Sequence, residues 1–262
     1  MKYNHHINNV LENVIWITGC ARSGTTILGK ILSTLKNVEY AYEPEFLFSL
    51  LPSINKINRK EWLKIYNAYI VEELLFNLCT GRRTNFKKNE DSYIGHSLDS
   101  KKIKKKLNLN IRRGNFDKYL SKNKKILVIK IPDVTKNLTI LQKYYPKNKF
   151  IVTDRNSSSI VKSIIKKKWF LNNKTLPWIY NNPELFGEKN FKKWIKLNEK
   201  QKANFYVKFM RMNCKKIKNK TNFSYDGLIR NPHKEIEKIC KFLKLKKTVK
   251  TKEIIGTVRT RK

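Results

Sequence analysis

"ITGCARSGTTILGK", residues 17–30, decides how the rest of the chain is read. Ahead of it, "NVIWIT" (13–18) is a short apolar, β-rich run that stops at glycine, the pattern of a buried strand. Behind it, Ile27, Leu28, Ile31, Leu32 and Leu35 recur at helical spacing, so a helix starts at the loop and lays one face on a sheet. A strand, a glycine-bearing loop and a helix make an anion site for physical reasons. The backbone N–H groups of residues 23–26 have no intrahelical partners, and the helix dipole favours negative charge beside them. Thr25 and Thr26 add hydroxyl donors, and Arg22 adds a planar, permanently charged fork suited to phosphate or sulfate oxygens. Gly19 and Gly24 keep the G-x-x-x-x-G spacing of a triphosphate loop. Thr25 and Thr26, however, follow where Lys-Ser or Lys-Thr would stand, and nothing near in sequence clearly replaces that lysine. The plainer alternative is a turn that needs glycine before a helix, with Arg22 merely in solvent.

Strand and helix patterns alternate outward from this loop. "VEYAYEP" (38–44) is a second strand stopped by Pro44, and residues 60–80 carry an amphipathic helical pattern. The polar, basic stretch 81–123 suggests loops with one helix, so residues 45–123 look like a mainly helical and looped insertion in a single domain spanning 1–262. "KILVIK" (125–130) and "KFIVTD" (149–154) are buried strands, each followed by a helix, over 137–145 and 157–169. In the second of these Ile160, Val161, Ile164 and Ile165 face inward. Residues 188–219 read as mainly helical, "NFSYD" (222–226) as a last strand, and 232–245 as a last helix with Pro232 in its first turn. Strands alternating with helices imply an α/β fold of the P-loop NTPase-like, three-layer kind, a central parallel sheet with helices on both faces.

Composition narrows the function classes. With 262 residues, 40% of them hydrophobic and 11% aromatic, the chain can bury a sizeable core. No apolar run reaches the ~20 residues of a membrane helix. The first strand begins too early for a cleavable leader, which points to a cytoplasmic protein. Cys20, Cys79, Cys214 and Cys240 form no C-x-x-C pair, so reduced, mostly buried thiols are expected rather than a metal site or disulfides. The net charge of +38 raises nucleic-acid binding. The excess is mostly lysine spread over nearly every segment, beside abundant asparagine and isoleucine, as an AT-rich coding sequence produces. A basic surface that attracts an anionic substrate is the better reading, and nucleic acid is not the expected partner.

"RSGTT" (22–26) resembles the 5′-phosphosulfate loop of sulfotransferases, which take a sulfuryl group from 3′-phosphoadenosine 5′-phosphosulfate (PAPS). That resemblance puts Arg22, Ser23, Gly24, Thr25 and Thr26 at the donor's phosphosulfate. "FIVTDRNSSSIVKS" (150–163) resembles the family's strand that ends in an arginine, with a serine eight residues later. Arg155 and Ser163 then correspond to its 3′-phosphate ligands, with Ser157 in place of the usual proline. "FSYDGLIRNPHKEIEKICKFLKL" (223–245) is similar to the family's Tyr-Glu-Asp-Leu segment and following helix, which implies Tyr225 by the adenine and Asp226 in place of glutamate. "LVIKIP" (127–132) resembles the strand before the 3′-phosphate motif and puts Lys130 near the donor or the acceptor. These landmarks run in the family's order from residue 14 to about 245. The resemblance implies in-line sulfuryl transfer to an acceptor hydroxyl, with no metal required.

A hydroxyl acceptor needs a base. Cytosolic members of that family carry a histidine two residues beyond the lysine, where this chain has Pro132. "AYEPEF" (41–46) resembles the Glu-Pro segment of carbohydrate and tyrosyl-protein members, which makes Glu43 the leading base and tilts the acceptor towards a carbohydrate or glycolipid. Alternatively, Glu43 caps a helix beginning at Pro44. His96 is the second candidate base, while His5 and His6 read as a solvated tail. The family's basic C-terminal loop has no close match, and Arg259 and Arg261 are the available substitutes. Two other functions stay open: a P-loop kinase or NTPase using Asp154 for magnesium, and a non-catalytic polyanion- or nucleic-acid-binding module.

Overall fold

The computed structural model describes residues 3–170, 186 and 188–258. Among them five strands form one sheet: β1 (Ile15–Gly19), β2 (Val38–Tyr42), β3 (Ile126–Lys130), β4 (Lys149–Asp154) and β5 (Lys220–Ser224). Their order is β2-β3-β1-β4-β5, and every pairing is parallel. Parallel strands need crossovers, and helices supply them on both faces of the sheet.

Each strand feeds two cores because successive side chains point to opposite faces. Ile15, Ile17, Val128, Ile151 and Phe223 face one core, which is closed by the helices Thr25–Leu32, Pro232–Leu243 and Val249–Gly256. Trp16, Leu127, Ile129, Phe150 and Val152 face the other, closed by Thr135–Tyr144, Ser157–Lys166 and Glu199–Lys216. Burial on both sides is why these strands read as unbroken apolar runs rather than as alternating ones. The result is the expected three-layer α/β fold of P-loop type. The carboxyl ends of the strands (Gly19, Tyr42, Lys130, Asp154 and Ser224) lie along one rim of the sheet, and crevices outside such rims hold ligands in this architecture.

Several elements differ from the sequence reading. His5 and His6 open a helix, His5–Glu12, instead of a solvated tail. Ile7, Val10 and Leu11 bury one side of it, and Asp117 Oδ1 accepts the Ile7 N–H at 3.0 Å. The last strand ends at Ser224, whose side chain accepts from the Gly227 N–H and so starts a helix at Tyr225. Two α-helices rather than one occupy 81–123, Ser100–Leu107 and Phe116–Asn123. Asp99 caps the first by accepting the Lys102 N–H at 2.8 Å. The helical pattern over 60–80 is a helix from Arg59 that continues through a π-type turn at Tyr69–Leu75 to Cys79. Among the described residues no helix is long and apolar enough to cross a membrane.

Candidate active site

The loop between β1 and the helix Thr25–Leu32 is shaped by two glycines that nothing larger could replace. Gly19 has φ +135°, and a Cβ there would sit 2.5 Å from Thr153 Oγ1 and 2.6 Å from its carbonyl oxygen. Gly24 has φ +98°, and its Cβ would meet Tyr225 Cδ2 at 2.7 Å. Ser23 is fully buried. Its hydroxyl donates to the Cys20 carbonyl at 2.6 Å and shares a 2.5 Å hydrogen bond with Thr153 Oγ1, while its N–H also bonds to Cys20. Ser23 therefore ties the loop to β4, and the N–H groups of Gly24, Thr25 and Thr26 open the helix beside it.

A second brace comes from a residue that sequence reading missed. Tyr206, on Glu199–Lys216, is wholly buried; its oxygen accepts the Ala21 N–H at 2.7 Å and donates to Asp133 Oδ1. Burial, with the Asp133 carboxylate beside it, pushes the Tyr206 phenol well up. The backbone of Ala21, next to Arg22, is thus fixed from 185 residues away in sequence.

The residues expected to hold a 3′-phosphate converge on this loop. Arg22 Nε donates to Ser163 Oγ at 3.0 Å, and its guanidinium lies 5.5 Å from the Trp169 ring. Arg155 reaches the Arg22 carbonyl at 3.4 Å and stacks 4.4 Å above the Tyr225 ring. Its Nε, like that of Arg211, is buried with no acceptor among the described residues. The two departures from the family pattern both have partners. Ser157 offers a hydroxyl to Arg211 where proline could not, and Asp226 accepts the Asn156 N–H at 2.9 Å. Arg211, also missed in the sequence, bonds further to Asp154 at 2.5 Å and to the Arg155 carbonyl at 2.6 Å. Asp154, Arg155, Asn156, Ser157, Arg211 and Asp226 line a polar cleft of about 370 Å³.

The second cluster sits at the ends of β2 and β3. The Lys130 side chain is 2% exposed and pairs with Glu43, whose side chain is 28% exposed. The Lys130 ammonium also lies 4.3 Å from the Tyr42 ring and 3.3 Å from Thr26 Oγ1. A cation from β3 therefore reaches the helix that lacks the triphosphate-loop lysine. Burial depresses the Lys130 ammonium, and Glu43 opposes that shift. Burial also raises the Tyr42 phenol to about 12. Glu43 has φ +40°, a conformation uncommon outside glycine, and its N–H bonds to the Lys130 carbonyl at 2.9 Å. The adjacent helix begins at Glu45 with Pro44 as its cap residue, so Glu43 turns to Lys130 instead of capping.

His96 lies on the wall of a different cavity, with Nε2 3.3 Å from the Glu90 carbonyl and its ring against Tyr93. The Asp154 carboxylate is held by Arg211. Arg259 and Arg261 lie outside the described residues. All four cysteines are free and buried. Among the described residues no three His, Cys, Asp or Glu side chains gather as metal ligands would.

The model of the sulfotransferase family matches residues 14–248. Among solved structures, the sulfotransferase domain from the curacin biosynthetic pathway aligns with a TM-score of 0.51 at 16% identity, over 91% of this chain and 76% of that one. Two others align more loosely. The sulfotransferase domain of the Synechococcus PCC 7002 olefin synthase gives 0.49 at 16% identity, over 91% and 75% of the two chains. Sulfotransferase STF1 from Mycobacterium tuberculosis H37Rv gives 0.47 at 15% identity, over 96% and 73%. At these identities the likeness concerns the fold. No curated protein matches the sequence.

Proposed function

The chain belongs to the sulfotransferase family, and on that footing we propose that it moves a sulfuryl group from PAPS to a hydroxyl of a carbohydrate or glycolipid acceptor. The observation that carries this reading is the meeting of Arg22 with Ser163 at 3.0 Å, across 141 residues, beside Arg155 and Tyr225. The unpartnered Arg155 Nε fits an anionic nucleotide. Arg22, Thr25, Thr26 and the N–H groups from Gly24 onward hold the 5′-phosphosulfate, while Ser23 keeps the loop in shape. Arg155 and Ser163 hold the 3′-phosphate, and Tyr225 lies against the adenine. Residues 45–123 form the insertion that builds the acceptor side.

In the transfer, a bond forms between sulfur and the acceptor oxygen as the bond from sulfur to the donor's phosphate oxygen breaks. Glu43 takes the proton from the acceptor hydroxyl. Arg22, Lys130 and the helix N-terminus offset the charge that grows on the departing phosphate oxygen, so the scheme invokes no metal. Buried, unpaired thiols favour a reducing, cytoplasmic setting.

A thermal-shift series tests the donor. Adenosine 3′,5′-bisphosphate at about 100 times its Kd should add about 2.7 kcal/mol of stability. That gain should vanish in Arg155→Ala. Stabilisation only by ATP with magnesium would replace this reading with a kinase. No response to either nucleotide would leave a non-catalytic polyanion-binding module in its place.

A further inference from the structure

A cavity of about 440 Å³ is lined by none of the proposed donor residues. It runs along the edge strand β2, between the helix Thr25–Leu32 and the segment 78–109, and its volume suits a small ligand. Two rulers connect it to the reactive pair. Tyr40 lines the cavity and shares a face of β2 with Tyr42, two residues or about 6.6 Å further on, over whose ring Lys130 sits. Lys30 lines it one helical turn, about 6 Å, beyond Thr26, which Lys130 contacts.

Eight lysines and arginines line this cavity against two carboxylates. The abundance of lysine in the chain explains the number but not the arrangement. Lys106 and Lys125, whose side chains are 17% and 19% exposed, both turn onto the single carboxylate of Glu39, 4% exposed, at 2.5 and 2.6 Å. Burial by itself would depress the Lys125 ammonium, yet Glu39 holds it above the ordinary lysine value. Two half-buried cations sharing one anion leave a positive charge inside the wall, a costly state unless a further anion completes it. The other lining carboxylate, Asp91, is taken by Lys30 at 2.8 Å. Lys36, Lys105 and Arg83 line the same cavity with no carboxylate partner among the described residues.

We infer that this cavity seats an anionic group (a carboxylate, sulfate or phosphate ester) carried by the acceptor roughly 10 Å or more from the hydroxyl that receives the sulfuryl group, the span of β2 from Glu39 to Tyr42. The acceptor is then itself an acidic glycan, held by its charge on Lys106, Lys125 and the unpaired lysines while its hydroxyl lies at Glu43. This assignment rests on the proposed transfer reaction.

The test uses the whole chain and a fluorescently labelled chondroitin sulfate tetrasaccharide, read by anisotropy at 150 mM salt. Hyaluronan tetrasaccharide, which carries carboxylates alone, and the uncharged cellotetraose are the comparison arms. The double variant Lys36→Glu/Lys105→Glu reverses two exposed cavity charges and touches none of the donor or transfer residues. Two reversed charges a few ångströms from an anion should weaken binding about tenfold or more, even in a water-like dielectric. Lys208→Glu/Lys215→Glu makes the same change in net charge on the helix Glu199–Lys216 and should bind as wild type does. Adenosine 3′,5′-bisphosphate should leave the tetrasaccharide bound, and the cavity variant should raise KM for acidic acceptors with kcat unchanged. Equal losses in the two variants, no loss in either, displacement by the bisphosphate, or binding of cellotetraose as tight as that of the acidic sugars would each overturn the assignment. Tetrasaccharide binding that follows the cavity charges in a protein that binds no bisphosphate would instead remove the transfer reading and the acceptor role together. Hyaluronan binding equal to that of chondroitin sulfate would identify carboxylate as the group recognised.

Discussion

Replacing Tyr206 by phenylalanine removes one oxygen from the interior and should cost far more than an ordinary conservative change. The ring stays, with its edge contact to Phe170 at 5.7 Å between centroids, so apolar packing is kept. What goes is the acceptor for the Ala21 N–H, at 2.7 Å, and a donor to Asp133. Ala21 is 8% exposed, so its amide has little access to water, and an orphaned buried donor costs about 1–3 kcal/mol. The lost bond to a carboxylate adds at most about 1.5–3 kcal/mol, reduced by whatever other contacts Asp133 keeps. A loss of about 3 kcal/mol overall is expected. Urea unfolding should show it as a lower midpoint with an unchanged m value. Because Ala21 precedes Arg22, affinity for adenosine 3′,5′-bisphosphate should weaken in the same variant. A loss below about 1 kcal/mol together with wild-type nucleotide affinity would refute the bracing role of Tyr206.

Glu43→Gln should lower kcat by about 10²–10⁴-fold and leave bisphosphate affinity within about twofold, since it removes the base but not the donor site; an unchanged kcat would remove Glu43 from the chemistry. Gly24→Ala forces a left-handed backbone and a clash with Tyr225, and should abolish bisphosphate-induced stabilisation while apo unfolding falls by about 1–2 kcal/mol; retained stabilisation would mean the loop is not the nucleotide's seat. Lys130 has a pKa held below its ordinary 10.5 by burial, so between the lowered value and 10.5 the unfolded chain binds more protons, and stability should rise with pH through that window. The gap in unfolding free energy between wild type and Lys130→Met should therefore shift in favour of wild type as pH climbs; a flat gap speaks against a buried ammonium. Burial raises the thiols of all four cysteines, so Ellman's reagent at pH 8 should find them unreactive until urea unfolds the chain; rapid native labelling would contradict the described burial.

The three-layer fold was legible because its strands are buried on both faces. Trp16 and Ile17 point into different cores, so neither position tolerates a polar residue and the strand announces itself as an apolar run. The glycine-bearing loop after β1 was legible for a related reason. Gly19 and Gly24 adopt backbone conformations that side chains resist, and such positions leave a mark in sequence. Elements whose apolar residues are diluted among asparagine and lysine were harder to see. The helix His5–Glu12 buries only Ile7, Val10 and Leu11, too few to outweigh "HHINN".

By itself, then, the sequence determined the alternation of strands and helices and the glycine-bearing turn between the first strand and its helix. Each of these is a local pattern, written within about one turn or strand of its neighbours. Only the tertiary structure decided that Tyr206 and Asp133 hold the loop, that Arg211 clamps the end of β4, and that Lys130 reaches both Glu43 and Thr26. The shared carboxylate of Glu39, 67 residues from Lys106 and 86 from Lys125, belongs to the same class. Contacts at such separations are set by where the crossovers deliver the chain, and a lone Tyr, Arg or Glu carries no local signal of the partner it will meet.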